Sequence, residues 1–150
     1  MVSQNQIKDF LAERTVALVG LSRSGQAFSN QIYRELKARG YRVYGVNPNA
    51  DRIEGDPCYH SVAALPEPVG SALFCTPPAE TEQAVREAIG AGVKHLWLQQ
   101  GAETAKAVHA GEESHVNLVA GECIFMFLTP VPFPHVLHRW VWGALGKLPR

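Results

Sequence analysis

The stretch that decides the fold is Thr15-Val16-Ala17-Leu18-Val19-Gly20, followed directly by Leu21-Ser22-Arg23-Ser24-Gly25. Its first half is an apolar run of strand length, without the alternation of a half-exposed strand. Such a run is typical of a parallel strand covered on both faces. Apolar residues at helical spacing follow in 29–39, and Gly40 is a C-terminal stop. The stretch therefore predicts a strand, a tight turn and a helix.

Strands and helices alternate on both sides of this unit. A capping box beginning at Ser3 predicts a short lead-in helix. The segment 50–68 is loop-like, with a very short strand near Cys58-Tyr59 and one helical turn after Ser61. We predict one domain, 1–150, with a Rossmann-type, doubly wound, mainly parallel α/β sheet. Further strands are predicted at 41–46, 71–76, 93–99 and 116–120, and further helices at 77–92 and 103–110.

Composition excludes several classes of protein. The chain has 150 residues, of which 46% are hydrophobic, so it can bury a core without a disulfide or metal. Because 14 basic residues balance 14 acidic ones, nothing favours nucleic acid or an anionic membrane as a partner. Three cysteines without CxxC spacing favour reduced thiols. The polar N-terminus is no signal peptide, and the longest apolar stretch, 124–133, is far short of a bilayer span. We therefore expect a soluble cytoplasmic protein.

The turn after the first strand is a candidate phosphate site. In such sheets, ligands bind beyond the carboxyl ends of the strands. Gly20 and Gly25 match the first and third glycines of G-x-G-x-x-G, and Ser22 replaces the middle one. We expect the backbone N–H groups of residues 22–25 and the start of the next helix to form an anion site, with Arg23 adding a charge. The alternative is an ordinary βα turn.

The turn after the second strand indicates which nucleotide fits. NAD-binding domains usually carry an acid there to hold the ribose hydroxyls. This chain reads Val46-Asn47-Pro48-Asn49, and the first acid is Asp51. Because asparagine tolerates a phosphate on the ribose and a carboxylate repels it, the pattern favours a phosphorylated adenosine over NAD.

Four segments together resemble a known family over roughly residues 10–126. They are VALVGLS at 16–22, GYRVYGVNP at 40–48, Pro77-Pro78, and WLQQG at 97–101. They are similar to the small stand-alone CoA-binding proteins, which share a Rossmann-type domain with the α subunit of succinyl-CoA synthetase. The resemblance implies that coenzyme A or an acyl-CoA is the ligand, with its diphosphate at the first turn and its adenosine along the Asn47-Pro48 loop.

The family pattern assigns ten residues of this chain to cofactor binding. Two positions depart from it: Ala27 and Asn49 stand where many relatives have a basic residue, so two phosphate contacts are lost, and Arg52 is the residue that would compensate. The assigned residues are Gly20, Ser22, Arg23, Ser24, Gly25, Asn47, Pro48, Thr76, Pro77 and Pro78.

No catalytic or metal site is predicted. The six histidines show no ligand spacing with a third residue, and no G-x-S-x-G or Ser-His-Asp order occurs. His95 opens a strand at the end away from the site, which indicates a structural role. Cys75 lies near the end of the strand predicted at 71–76 and Cys123 follows the last strand, both at the ligand end. A mixed disulfide with CoA is open to Cys75, and burial is the favoured reading for both.

The tail carries an apolar stripe over 133–145 at helical spacing. The stripe predicts an amphipathic helix that docks onto the chain's own sheet. Trp142 falls off the stripe, so a homodimer contact is the alternative.

Three functions are consistent with these observations. The first is a non-catalytic domain that binds CoA or acyl-CoA, with a regulatory or carrier role. The second is an NAD(P)-binding small reductase or redox sensor. The third is an interaction protein whose nucleotide site has decayed. The missing acid after the second strand favours the first over the second, and the lost basic positions leave the third open.

Overall fold

The computed structural model describes residues 2–128 of the chain. Within this range, helices and strands follow the predicted order, with one short strand added after the second strand, at Arg52–Ile53. The elements are α1 (Gln4–Ala12), β1 (Thr15–Val19), α2 (Phe28–Ala38), β2 (Arg42–Val46), β3 (Arg52–Ile53), β4 (Asp56–Tyr59), β5 (Ser71–Phe74), α3 (Pro78–Gly90), β6 (His95–Gln99), α4 (Ala105–Glu113) and β7 (Asn117–Glu122), with 3₁₀ turns at Val62–Ala64 and Ile124–Met126.

The strands form one seven-stranded sheet in the order β3-β4-β2-β1-β5-β6-β7. All neighbours are parallel except β3 and β4. The chain runs outward from β1 to one side and then crosses to β5 on the other, so the topological switch point lies between β1 and β5. Val19 pairs with both Val46 and Phe74, so the three central strands end at the same level. The predicted doubly wound sheet is confirmed.

Two apolar cores flank the sheet, one on each face. Because strand side chains alternate, Leu18 points into the core under α1 and α2, whereas Ala17 points into the core under α3 and α4. Trp97 is fully buried in the first core, with its ring 5.2 Å from that of Phe10. Its indole N–H donates to the Glu122 carbonyl, so the largest side chain leaves no buried polar atom unpaired.

Several boundaries differ from prediction: the strands predicted at 71–76 and 93–99 are Ser71–Phe74 and His95–Gln99, and the helix predicted at 77–92 is Pro78–Gly90. The helix predicted at 103–110 runs from Ala105 to Glu113, and a Cβ at its Gly111 would lie 3.0 Å from the Leu118 side chain. The strand predicted to end at 120 continues to Glu122 through a register shift beside Gln99. The predicted strand near Cys58-Tyr59 is present, but its antiparallel partner β3 was missed.

Other predictions are confirmed or lie outside the described range. Ser3 and Gln6 form the expected capping box at the start of α1. Among residues 2–128, no helix is long and apolar enough to cross a membrane. The predicted 133–145 helix, with its docking or homodimer surface, lies outside the described residues.

Candidate functional site

The loops after β1, β2 and β5 converge on a cleft of about 790 Å³ at the carboxyl edge of the sheet. Such a volume is within the usual range for small-molecule sites. Gly25 and Pro78, both assigned from sequence, are not part of its lining. Pro78 instead begins α3, at a position where a backbone N–H would have no hydrogen-bond acceptor within the helix. Eight of the ten assigned residues do line it: Gly20, Ser22, Arg23, Ser24, Asn47, Pro48, Thr76 and Pro77.

Gly20 is required by the approach of two backbones. Its N–H donates to the Val46 carbonyl, and its φ is +91°. A Cβ at this position would lie 2.8 Å from the Cys75 carbonyl carbon and 3.0 Å from the Thr76 nitrogen. The first glycine therefore holds the turns after β1 and β5 together. This constraint belongs to the fold and exists before any ligand binds.

The serine-rich turn differs from the expected cradle of free N–H groups. The Ser22 N–H donates to the Ser29 hydroxyl at 3.1 Å, and the Ser24 N–H donates to the Ser22 hydroxyl at 3.1 Å. The Ser22 and Ser24 hydroxyls lie 2.9 Å apart. One of the two hydroxyl protons forms the hydrogen bond between these side chains, so the other hydroxyl proton can be donated to a ligand. Two of the four expected N–H groups therefore already have acceptors, and the turn offers an anion a serine hydroxyl and the Arg23 side chain beside the two N–H groups that remain, those of residues 23 and 25.

A buried asparagine that sequence reasoning missed fastens this turn to α2. Asn30 is fully buried, and its Nδ2 donates to the Ser22 carbonyl at 2.9 Å. Its Oδ1 accepts from the Ala27 N–H, which closes the first turn of the helix. The helical position of Asn30 gave no signal of this role, because the contact depends on how the turn folds back.

Asn47 is a structural residue of the second turn. Its Nδ2 donates to the Leu21 carbonyl at 2.9 Å, and its Oδ1 accepts from the Asn49 N–H at 2.8 Å. Since both ends of the amide already have partners, Asn47 ties the β2 loop to the β1 loop. The sequence argument treated it as a group facing the ribose, whereas its side chain holds the wall of the cleft in place.

Thr76 closes the third loop in a similar way. Its hydroxyl lies 2.7 Å from that of Thr81, and Thr81 donates to the Pro77 carbonyl. The Thr76 proton therefore goes to Thr81, which leaves Thr76 only acceptor capacity. Thr76 can accept a bond from a ligand N–H or O–H but cannot donate to a phosphate.

The charges of the cleft come mainly from residues that sequence reasoning missed. Arg23 is exposed and pairs with no acid among the described residues. Across the cleft, the α3 wall carries two carboxylates, Glu80 and Glu87. His60 lies on the rim, with Nε2 2.8 Å from the Asp51 carboxylate. Spacing along α3 could have identified the acidic wall, since Glu80, Gln83 and Glu87 share one helical face.

A second cleft of about 470 Å³ adjoins the first. It shares Gly20, Ser22, Thr76 and Pro77 with the first cleft and continues past Cys75 and Phe28. Phe28 is 41% exposed, the one large apolar side chain of the described range that stands out to solvent. Burial, with a smaller contribution from Cys123, raises the pKa of the Cys75 thiol to about 12. Cys75 therefore remains a thiol at neutral pH.

Cys123 and His95 have internal partners. Cys123 is buried and accepts a hydrogen bond from Gln99 Nε2 at 3.2 Å, and burial raises the pKa of its thiol. The His95 ring is 3.1 Å from the Asn117 amide, which supports the structural role predicted for it. Within residues 2–128, no group of three or more His, Cys, Asp or Glu side chains is arranged to hold a metal ion.

Sheet order, helices on both faces and a cleft at the switch point define a Rossmann-type α/β domain. Comparison of the sequence with known families then identifies the lineage. The chain belongs to the CoA binding domain family, whose model matches residues 14–129. The resemblance drawn from the sequence motifs is confirmed.

Three individual relatives are similar to this chain over most of its length. ADP-forming acetate–CoA ligase I of Archaeoglobus fulgidus is 30% identical over 128 residues, covering 79% of this chain and 19% of that protein. The chain thus spans less than a fifth of that relative. A conserved hypothetical protein of Pyrococcus furiosus is 41% identical with a TM-score of 0.70, covering 74% of this chain and 96% of that one. A hypothetical protein of Pyrococcus horikoshii is 29% identical with a TM-score of 0.77, covering 82% and 87%.

Proposed function

We propose that this protein binds coenzyme A or an acyl-CoA in the cleft at the carboxyl edge of the sheet. The observation that carries the proposal is the convergence of the β1, β2 and β5 loops on one cleft in a chain of the CoA binding domain family. The diphosphate would meet Arg23 and the free hydroxyl proton of the Ser22–Ser24 pair. The adenosine would lie along the 47–49 loop, where Rossmann-type domains place the ribose.

The second cleft supports an elongated ligand. It is mostly apolar and shares four lining residues with the first, so a molecule can extend from one to the other across the Gly20–Thr76 contact. A nucleotide with a long, weakly polar arm has this shape, which is why the proposal includes acyl thioesters as well as the free thiol.

Ligand identity is tested by thermal shift and calorimetry with CoA, acetyl-CoA, NAD and NADP at equal concentration. A ligand at a hundredfold excess over its Kd stabilises the fold by about 2.7 kcal/mol. We expect the larger shift from CoA or acetyl-CoA. A larger shift from NAD or NADP would instead support a nicotinamide-dependent reductase or sensor, and no shift from any of them would support an interaction protein.

The place of binding is tested by filling the cleft. Ala79 is exposed on the first turn of α3 and lines the cleft, whereas Ala91 is exposed at the other end of the same helix. We expect Ala79→Trp to weaken CoA binding at least tenfold, by about 1.4 kcal/mol or more. Ala91→Trp is the matched control and should bind as the parent does. Equal binding by both variants would place the ligand elsewhere.

We further propose that the domain is non-catalytic on its own and acts as a carrier or regulator. The chain spans a small part of the ligases it resembles, and among residues 2–128 the hydroxyls of Ser22, Ser24 and Thr76 bond other hydroxyls or N–H groups and not a histidine or a carboxylate. Incubation with acetate, CoA and ATP should yield neither a thioester nor phosphoprotein. Detection of a phosphohistidine would overturn this part of the proposal.

A further inference from the structure

Val43 lies on the edge of β2 that faces away from β1. Residues of a parallel strand bond alternately to the neighbours on either side, and the Arg42 N–H donates to the Arg14 carbonyl on the β1 side. Val43 therefore faces the opposite edge, where β4 pairs only with the last two residues of β2. Within residues 2–128, neither the N–H nor the carbonyl of Val43 has a hydrogen-bond partner. An extended backbone is the partner that such an edge accepts.

Pro57 is the reason that β4 does not continue along this edge. The ladder between the two strands includes the bond from the Asn47 N–H to the Tyr59 carbonyl at 2.9 Å. Because the bonds of a parallel ladder repeat every two residues, the donor opposite the Val43 carbonyl would be the N–H of residue 57, and proline has none. A protein donor to this carbonyl must therefore come from another segment.

All four tyrosines of the chain surround this edge. Together with Val43 they line a groove of about 250 Å³, the Val43 groove. The charged side chains of its wall are already paired, since Lys37 pairs with Asp56. Arg42 likewise pairs with Glu67. The groove thus favours an uncharged, extended segment, and aromatic-lined grooves bind proline-rich segments in this way. The tyrosines are Tyr33, Tyr41, Tyr44 and Tyr59.

The described part of the chain ends beside the Val43 groove. Phe127 and Leu128 line an adjoining groove of about 290 Å³, and Tyr41 lines both grooves. The sequence then reads TPVP at 129–132. Three residues beyond Leu128 span up to about 10 Å, which is more than the two-residue step along β2 from Tyr41 to Val43.

The prolines of this segment suit an edge strand. Pro130 and Pro132 lack N–H groups, so only Thr129 and Val131 can donate, and in an extended chain the N–H groups of these two face the same side. The prolines then face away from the sheet, where no ladder bond is needed. Each residue before a proline is also biased toward extended backbone, which lowers the cost of ordering the segment.

We propose that residues 129–132 dock in the Val43 groove as a further edge strand, with the Val131 N–H donating to the Val43 carbonyl. This docking goes beyond the proposed function and does not depend on the ligand. It joins the end of the described chain to β2, the strand whose following loop forms part of the cleft. With its prolines facing outward, the added strand also closes the sheet edge against pairing with other chains.

Amide hydrogen exchange of the whole 150-residue chain, read by NMR, tests the docking. Val131→Pro removes the donor, whereas Val131→Ala keeps it and is the matched control. We expect the Val43 amide to exchange at least about tenfold faster in Val131→Pro than in the parent, and as slowly in Val131→Ala as in the parent. The Arg42 amide, which donates to Arg14 within the sheet, should exchange equally in all three proteins and reports the fold.

Other outcomes overturn the inference. Equal exchange of the Val43 amide in the two variants would mean that the segment does not pair there. Slow exchange that depends on protein concentration would assign the edge to a second copy of the chain. A nuclear Overhauser contact between the backbones of Val43 and residues 129–132 is expected in the parent, where no variant has to fold, and its absence would contradict the pairing even if the exchange rates differ.

Discussion

Adding one methyl group at Gly20 and at Gly25 tests the architecture of the cleft. Both glycines belong to the turn after β1, and both have positive φ, +91° and +72°. They differ in surroundings. A Cβ at Gly20 would meet three backbone atoms of Cys75 and Thr76 between 2.8 and 3.0 Å, whereas a Cβ at Gly25 would meet no atom within 4 Å. The pair separates the cost of the backbone conformation from the cost of the close approach.

The expected magnitudes follow from these two costs. A left-handed conformation at a residue with a Cβ costs about 1–2 kcal/mol, which is the whole penalty for Gly25→Ala. Gly20→Ala adds overpacking against a backbone that cannot rotate away, about 1–3 kcal/mol, for a total of about 2–5 kcal/mol. Since domains are stable by about 5–15 kcal/mol, the second variant is near the limit of folding.

Urea unfolding of the three proteins measures the two differences. We expect Gly25→Ala to lose a little stability and to keep its affinity for CoA, since Gly25 does not line the cleft. Gly20→Ala should be the less stable by at least about 1 kcal/mol. Should the two variants prove equally stable, the close approach of the β1 and β5 turns would be refuted, and with it the account of why glycine stands at position 20.

Three further predictions concern side chains. Cys75, with a pKa of about 12, should react with a disulfide reagent at about pH 8 more than a thousandfold more slowly in the folded protein than after unfolding. The reason is that about one Cys75 thiol in ten thousand is ionised at this pH, against about a quarter for an ordinary thiol. A fast reaction of the folded protein would contradict the burial of Cys75. Tyr33 donates to Asp56 at 2.6 Å, so Tyr33→Phe should cost about 1–2 kcal/mol at neutral pH. Bonds from Lys37 and then Tyr33 lower the pKa of Asp56, and the loss should therefore shrink below about pH 4, when the carboxyl becomes protonated; a pH-independent loss would exclude this partner. Arg23→Ala should weaken CoA binding by at most about fivefold, and the effect should vanish at about 1 M salt; an effect that persists would mean a buried contact.

The sheet could be predicted because its strands occur in the sequence as uninterrupted apolar runs. The carboxyl edge as the place of the cleft follows from that sheet, whereas the register that aligns Val19 with Val46 and Phe74 is known only from the structure. The β3–β4 hairpin could not be predicted in the same way. Its turn places Glu54 at φ +57°, a conformation that glutamate rarely adopts, and an ion pair from Arg34 at 2.7 Å holds that residue from a distant helix.

Eight of the ten assigned residues line one cleft, whereas the roles assigned to them stay predictions. The sequence motifs located the loops that line the cleft, but the motif assigns its binding groups to backbone N–H donors. Hydroxyl side chains accept from two of these donors in the actual turn, Asn47 donates to the neighbouring β1 loop, and Thr76 bonds Thr81 in α3. Spacing along the chain did not show this, because a motif does not state which hydrogen-bonding groups already have partners.

A turn that offers hydroxyls in place of N–H groups encodes part of its ligand specificity in its side chains. A backbone cradle offers the same donors whatever the side chains are, so its sequence says little about affinity. In this turn, a hydroxyl of the Ser22–Ser24 pair and the Arg23 guanidinium stand in for two of the four N–H groups of such a cradle. Because the hydroxyl and the guanidinium can each be removed by a single substitution, whereas an N–H group cannot, the part of the ligand preference that side chains carry can be dissected one substitution at a time.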